Sequence, residues 1–255
     1  MIRVGLMGVA AASTAVAALA GAASATLPDG RLYEQVSPPN KNGNVVNNPF
    51  AEQELTGSFG LAAADGNSVA FVGTGAMGTA FGGMIGEFAA RRSPAGWATT
   101  SAIPRLLEPL NVLATEGPNA VVPSADFSSF LFGAFGVYVS AEPFHESSSS
   151  NIFLSHDPSV EPTWVAQPTI PDPLPRPGQN SQIHDYLIAG ATPDLATVYF
   201  TYSGTLIAQD AARAPHVGDG QNGGADPWGF YEWSGGHLEA AGVRPDGSIS
   251  PLGAV

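Results

Sequence analysis

The chain has 255 residues, 44% of them hydrophobic, enough for one large domain or two small ones with a sizeable core. Charged residues make up only 12%, and 9 basic against 22 acidic residues give a net charge of −13, with Lys41 the only lysine. That balance excludes a nucleic-acid partner, because phosphate binding needs clustered Lys and Arg. The absence of cysteine excludes a disulfide framework, a thiolate nucleophile and a cysteine metal site. Gly 31 and Pro 22 punctuate the chain too often for long helices.

Residues 1–25 read as a signal peptide, helical in its apolar part. Arg3 supplies the positive n-region, Val4 to Ala22 is an uncharged run of small and apolar residues, and Ala23-Ser24-Ala25 matches the A-x-A cleavage pattern. Cleavage before Thr26 leaves 8 basic against 22 acidic residues, a charge of −14. A retained membrane anchor is the competing reading, since the run approaches the ~20 residues of a span. The small residues and the cleavage site favour removal, and no second apolar span follows. The expectation is a secreted or cell-envelope protein with no membrane span after cleavage.

Residues 26–60 form a turn-rich leading segment. Pro28-Asp29-Gly30, Pro38-Pro39 and the Asn-rich run Asn40 to Asn48 surround one strand candidate, Arg31 to Val36. From residue 61 to 255 one pattern recurs: an Asp-bearing turn, then an apolar strand, then a partner strand leading to a further aromatic or apolar position. Its copies are Asp65-Gly66 before Val69 to Val72, Asp126 before Phe130 to Phe132, and Pro193-Asp194 before Val198 to Phe200. The downstream partners are Glu87 to Arg91 leading to Trp97, Asn151 to Leu154 leading to Trp164, and Trp228 to Trp233 leading to Leu238. The three units run over about 61–110, 121–164 and 187–245. The proline-rich stretch 165–186 and Asp210 to Asp226 are insertions or linkers.

The strands are apolar on consecutive residues rather than alternating, which predicts sheets covered on both faces. Helical periodicity is almost absent, so the cover is another sheet, as in stacked propeller blades. The fold class is therefore all-β. The Asp before each apolar run bonds nearby backbone N–H groups in a turn.

Asp65-Gly66…Val69-Ala70-Phe71-Val72 and Pro193-Asp194…Val198-Tyr199-Phe200 resemble the S-P-D-G-x-x-I-A-F signature of TolB-like, WD-repeat-like β-propellers. The stretch Asp29-Gly-Arg-Leu-Tyr33-Glu-Gln-Val-Ser-Pro38-Pro-Asn-Lys-Asn-Gly43 resembles the opening of large secreted actinobacterial proteins carrying such repeats. Ser124-Ala-Asp126-Phe127 departs from the signature by lacking both Pro and Gly, and no Trp-Asp dipeptide ends a strand. The resemblance implies propeller-like blades, about three. That falls short of the four to eight blades of a closed ring, so the expectation is an incomplete ring, from a truncated chain or an open, associating arc. It also implies protein–protein interaction in the cell envelope.

Motifs that carry chemistry each have a structural alternative. Gly73-Thr-Gly75-Ala-Met-Gly78 is a literal G-x-G-x-x-G after a strand, and Thr79 to Arg92 could be drawn as its helix. Glycines at 82, 83 and 86 weaken that helix and no acidic residue follows at the ribose position, so a Gly-rich loop is favoured and no cofactor is expected. Asp219, Asn222 and Asp226 put oxygen ligands on one loop, but the EF-hand spacing puts Gly223 at position five and Phe230 at position twelve, leaving only a weak Ca²⁺ candidate. Trp228, Tyr231 and Trp233 could offer aromatic faces to a sugar or peptide, or fill the space between sheets, which the energetics of aromatic burial favour. His145, His156, His184, His216 and His237 form no H-x-H or H-E-x-x-H pair, and no G-x-S-x-G occurs. No residue takes a catalytic role on this reading. The leading expectation is a non-catalytic binding or scaffold module contacting protein or glycan. The alternatives are an extracellular hydrolase or lyase with central carboxylates, and an N-terminal structural segment of a longer surface protein.

Overall fold

A computed structural model of the chain describes residues 33–46, 61–82, 86–107, 120–135, 137–141, 150–170, 186–202, 206–209 and 229–248. By internal contacts the chain divides into Met1–Glu34 and Gln35–Val255. Of the first unit only Tyr33 and Glu34 are described, and both are exposed.

The second unit is all-β: twelve described strands form three four-stranded antiparallel sheets, each a meander in chain order. Sheet 1 comprises β1 (Leu61–Ala62), β2 (Ser68–Gly73), β3 (Gly86–Ser93) and β4 (Gly96–Ser101). Sheet 2 comprises β5 (Ala120–Pro123), β6 (Phe130–Phe135), β7 (Ser150–Ser155) and β8 (Thr163–Trp164). Sheet 3 comprises β9 (Tyr186–Ala191), β10 (Thr197–Tyr202), β11 (Gly229–Ser234) and β12 (His237–Ala240). The strands of the three sheets span residues 61–101, 120–164 and 186–240. None closes into a barrel, and no α-helix occurs among the described residues.

Each sheet opens on the same hairpin turn, and the turn is built by its Asp. Asp65, Asp126 and Asp194 accept the backbone N–H two residues on, from Asn67, Ser128 and Ala196. The residue after each Asp takes a left-handed φ: 71° at Gly66, 58° at Phe127 and 58° at Leu195. Phe127 and Leu195 tolerate a conformation that disfavours side chains because those side chains are buried, at 4% and 1% exposure. Here the buried apolar side chain offsets what Gly avoids in sheet 1.

Six residues after each Asp stands an aromatic ring, paired across to the third strand. Phe71 lies opposite Phe88, Phe132 opposite Phe153, and Phe200 opposite Tyr231, with ring centroids 5.5, 5.4 and 5.6 Å apart. Such cross-strand pairs add about 0.5–1.5 kcal/mol each beyond their area. All three point the same way along the stack. The Phe132/Phe153 pair packs with Ala70 and Ala89 of sheet 1, and the Phe200/Tyr231 pair packs with Leu131, Ile152 and Leu154 of sheet 2. The Phe71/Phe88 pair faces away from sheet 2 and packs with Met77, Ala80 and Val36.

The leading segment supplies that last cover without forming a strand over Tyr33–Val36, which corrects the strand candidate at Arg31–Val36. Residues 36–46 instead strap sheet 1. Val46 bridges Gly73, Thr74 N–H donates to Val45 O at 3.0 Å, and Gly78 N–H donates to Asn40 O at 3.0 Å. The Asn44 side chain donates to Ala76 O at 2.8 Å. The glycines of the G-x-G-x-x-G stretch make room for this strap: a Cβ on Gly75 would come within 2.5 Å of Asn44, and Gly78 lies against Pro38. Of the residues drawn as its helix, 86–92 belong to β3 instead, and Met77 in the glycine stretch is fully buried.

The central strands β2, β3, β6 and β7 are largely buried on both faces, as the consecutive apolar residues predict, while the edge strands β1 and β4 are largely exposed. Sheet 3 differs. Along β10 the buried residues Val198, Phe200 and Tyr202 alternate with the half-buried Thr197, Tyr199 and Thr201, and β11 alternates likewise. One face is in the core and the other is half open.

Candidate functional site

The residues named from the sequence divide sharply. Asp219, Asn222, Asp226 and Trp228 lie outside the described residues. Tyr231 is fully buried, its ring on Phe200 and its hydroxyl oxygen accepting Leu206 N–H at 3.3 Å, and Trp233 is buried beside it. Both fill the seam between sheets 2 and 3, so neither presents a ring to a ligand.

Among the described residues no three of His, Cys, Asp or Glu gather as metal ligands. The aspartates are instead spread over separate turns. Asp126 is held down to about 2 by the Ser124 hydroxyl, the Ser128 N–H and the Ser128 hydroxyl. Asp65, Asp157, Asp194 and Asp246 are lowered too, each chiefly by hydrogen bonds from within its own turn. These carboxylates serve the backbone.

Among the described residues one Ser–His hydrogen bond occurs: Ser129 Oγ lies 2.7 Å from His156 Nδ1. The next cross-strand pair is Phe130 opposite Ser155, so Ser129 and His156 simply continue the β6–β7 register. The same place holds Ser68 opposite Arg91 in sheet 1 and Thr197 opposite Ser234 in sheet 3. Asp157, beside the histidine, is taken up by Ser159. The pair is a polar clasp at the hairpin end, and among the described residues no third group orients the imidazole as nucleophilic catalysis requires.

Glu87 stands apart. It lies on β3 opposite Val72, and it faces sheet 2 because its neighbour Phe88 faces the strap. Only 4% of it is exposed, and burial alone pushes its carboxyl up to about 8. Counting from the aromatic pairs, Ile152 and Phe230 occupy its place in the other sheets. Two residues along the same face, Arg91 donates to the Phe127 carbonyl of the sheet 2 turn. The backbone of that turn in turn receives support from sheet 3, where Ala125 N–H donates to Pro193 O at 2.7 Å. A neutral carboxyl in an apolar seam is a proton donor in principle. Glycoside hydrolysis takes a pair of carboxylates.

The outer face of sheet 3 is the other distinctive surface. Tyr199 and Phe230 pack diagonally, centroids 6.3 Å apart, while Thr201 stands directly opposite Phe230 on one side and Leu187, at 62% exposure, on the other. The Tyr199 hydroxyl donates to Glu232, whose hydrogen bond and charge raise the tyrosine above its ordinary value. Glu239 stands opposite Glu232 on β12, so two acids border the aromatic patch. Aromatic rings, a threonine and carboxylates on an open sheet face can bind a protein surface or stack on a sugar. Sequence reading missed this patch, since alternation in burial within an apolar run carries no compositional mark.

No family model, curated protein or solved structure matches the chain.

Proposed function

We propose that the chain is a secreted, non-catalytic binding or scaffold module built from propeller-like blades resembling those of TolB-like proteins. The three meander sheets serve as blades, stacked in one direction by their aromatic pairs. The observation that carries the binding reading is the half-open outer face of sheet 3, where Tyr199, Phe230 and Leu187 offer apolar area bordered by Glu232 and Glu239. A protein or glycan partner seats there. The scattering of the described carboxylates over separate turns supports binding over catalysis.

Saturable binding of the signal-cleaved chain to an array of extracellular proteins and envelope polysaccharides tests this. Phe230→Asp is expected to weaken it about tenfold or more, the effect of ~1.4 kcal/mol. Binding that ignores the substitution removes the face from the function.

A further inference from the structure

We infer that the outer face of sheet 3 docks a protein partner through an arginine, whose guanidinium stacks on Tyr199 and Phe230 while its edge donates to Glu232 and Glu239. The inference rests on the binding reading and commits its partner to a protein rather than a glycan.

The face is not finished as a packing surface. Next to its aromatic pair, sheet 1 places Ala70 opposite Ala89, and sheet 2 places Leu131 opposite Leu154. All four are buried against the following sheet. At the same places sheet 3 carries Tyr199 opposite Glu232. An apolar surface laid over them would strand the carboxylate, whereas a charged partner would satisfy it.

The acids on this face are set against each other. Glu232 on β11 stands directly opposite Glu239 on β12, and like charges so placed cost stability. The strands β9 to β12 contain no Lys or Arg to offset them. Tyr199, Glu232 and Glu239 occupy successive strands in one row, at steps of about 4.8 Å. The Tyr199 hydroxyl donates to Glu232, which fixes the phenol beside the acid. Phe230 lies diagonally across from it, ring centroids 6.3 Å apart. Rings and acids thus share one small area, and a cation placed there is attracted by both.

The candidate occupants differ in how many of these groups each uses at once. A neutral sugar stacks on the rings and leaves the opposed carboxylates uncompensated. An ammonium, on lysine or on an amino sugar, meets the acids as a compact, strongly hydrated point charge that gains little from the rings beside them. A guanidinium is planar and weakly hydrated. It lies flat on an aromatic ring and still directs its N–H donors, in its own plane, at carboxylates. Arginine is also the basic residue enriched at protein interfaces, where lysine is depleted.

Two short peptides of equal charge test this, one carrying arginines and the other lysines in the same places, together with a glucosamine oligomer of that charge. Each is titrated against the signal-cleaved chain at physiological salt, with affinity read by fluorescence anisotropy. The arginine peptide is expected to bind about threefold or more tightly than the lysine peptide. Glu232→Gln with Glu239→Gln is expected to weaken it about tenfold or more. Glu34→Gln with Glu161→Gln removes the same charge from two exposed acids elsewhere and is expected to change it less than about twofold. Tyr199→Leu with Phe230→Leu keeps the charge and is expected to bring the two peptides to equal affinity. The Gln pair preserves side-chain shape, so the result does not depend on the ring variants folding. Equal affinity of the unaltered chain for both peptides overturns the inference. So does an arginine preference that survives loss of both rings, or a loss matched by the control pair. Tighter binding of the glucosamine oligomer, lost with the same acids, assigns the face to a glycan; it overturns the inference and leaves the binding reading standing. Array binding that ignores Phe230→Asp removes the binding reading itself, and the inference falls with it.

Discussion

The pH behaviour of this protein is set by a few side chains with opposite habits. Glu87 has its folded value raised from 4.5 to about 8, so its contribution is fully present below 4.5 and is lost as pH rises toward 8. Asp126 runs the other way: its folded value falls from 3.8 to about 2, so its contribution is present above 3.8 and is lost as pH falls through 2. Together they place maximal stability near pH 4, acid of neutral. Urea unfolding from pH 3 to 9 checks this, and Glu87→Gln is expected to flatten the limb between 4.5 and 8 by a few kcal/mol. An unchanged limb would mean that the carboxyl is solvated. Steric limits are equally local. A Cβ on Gly133 would run into the Tyr186 ring, so Gly133→Ala is expected to cost about 2 kcal/mol in denaturant unfolding. At Phe127 the left-handed φ and the buried ring oppose each other. Phe127→Gly relieves the first and loses the second, with a net loss expected of about 2 kcal/mol by the same measurement.

At the scale of elements, the leading strap and the glycine loop explain each other. Asn44 reaches Ala76 because Gly75 has no side chain, and Gly78 admits Pro38 and Asn40. Gly75→Ala is expected to displace the strap, which hydrogen exchange at Thr74 and Gly78 reads as faster exchange while the β10–β11 amides stay protected. Exchange rising equally in both places would show that the strap is integral to the whole stack. The G-x-G-x-x-G stretch therefore needs no nucleotide to account for it. Its partner residues were legible as an Asn-rich run, but their pairing across about thirty positions was not, because loop-to-loop hydrogen bonds leave no periodicity in sequence.

For the whole molecule, the recurrent turn and the recurrent aromatic pair make a directional stack, each sheet reading forward onto the next. A stack of this kind transmits stability between neighbours. Cutting the sheet 2–sheet 3 seam with Tyr231→Ala is therefore expected to lower the melting temperature and to expose Leu131 and Ile152 together. Dye binding to newly exposed apolar surface, alongside the melt, checks both.

The amino-acid sequence by itself determined the all-β class and the Asp turns; that each sheet has four strands came from the structure. Turn chemistry and consecutive apolar residues act over a few positions, and they are written where they act. It also indicated that Tyr231 and Trp233 suit a core as well as a ligand. Only the tertiary structure decided that they are core, that Glu87 is buried, and that the outer face of sheet 3 is half open. Burial belongs to a residue's neighbours across the fold. Phe200 and Tyr199 are adjacent in the chain, yet one faces Leu131 of sheet 2 and the other faces outward, and only the stacking of the sheets separates them.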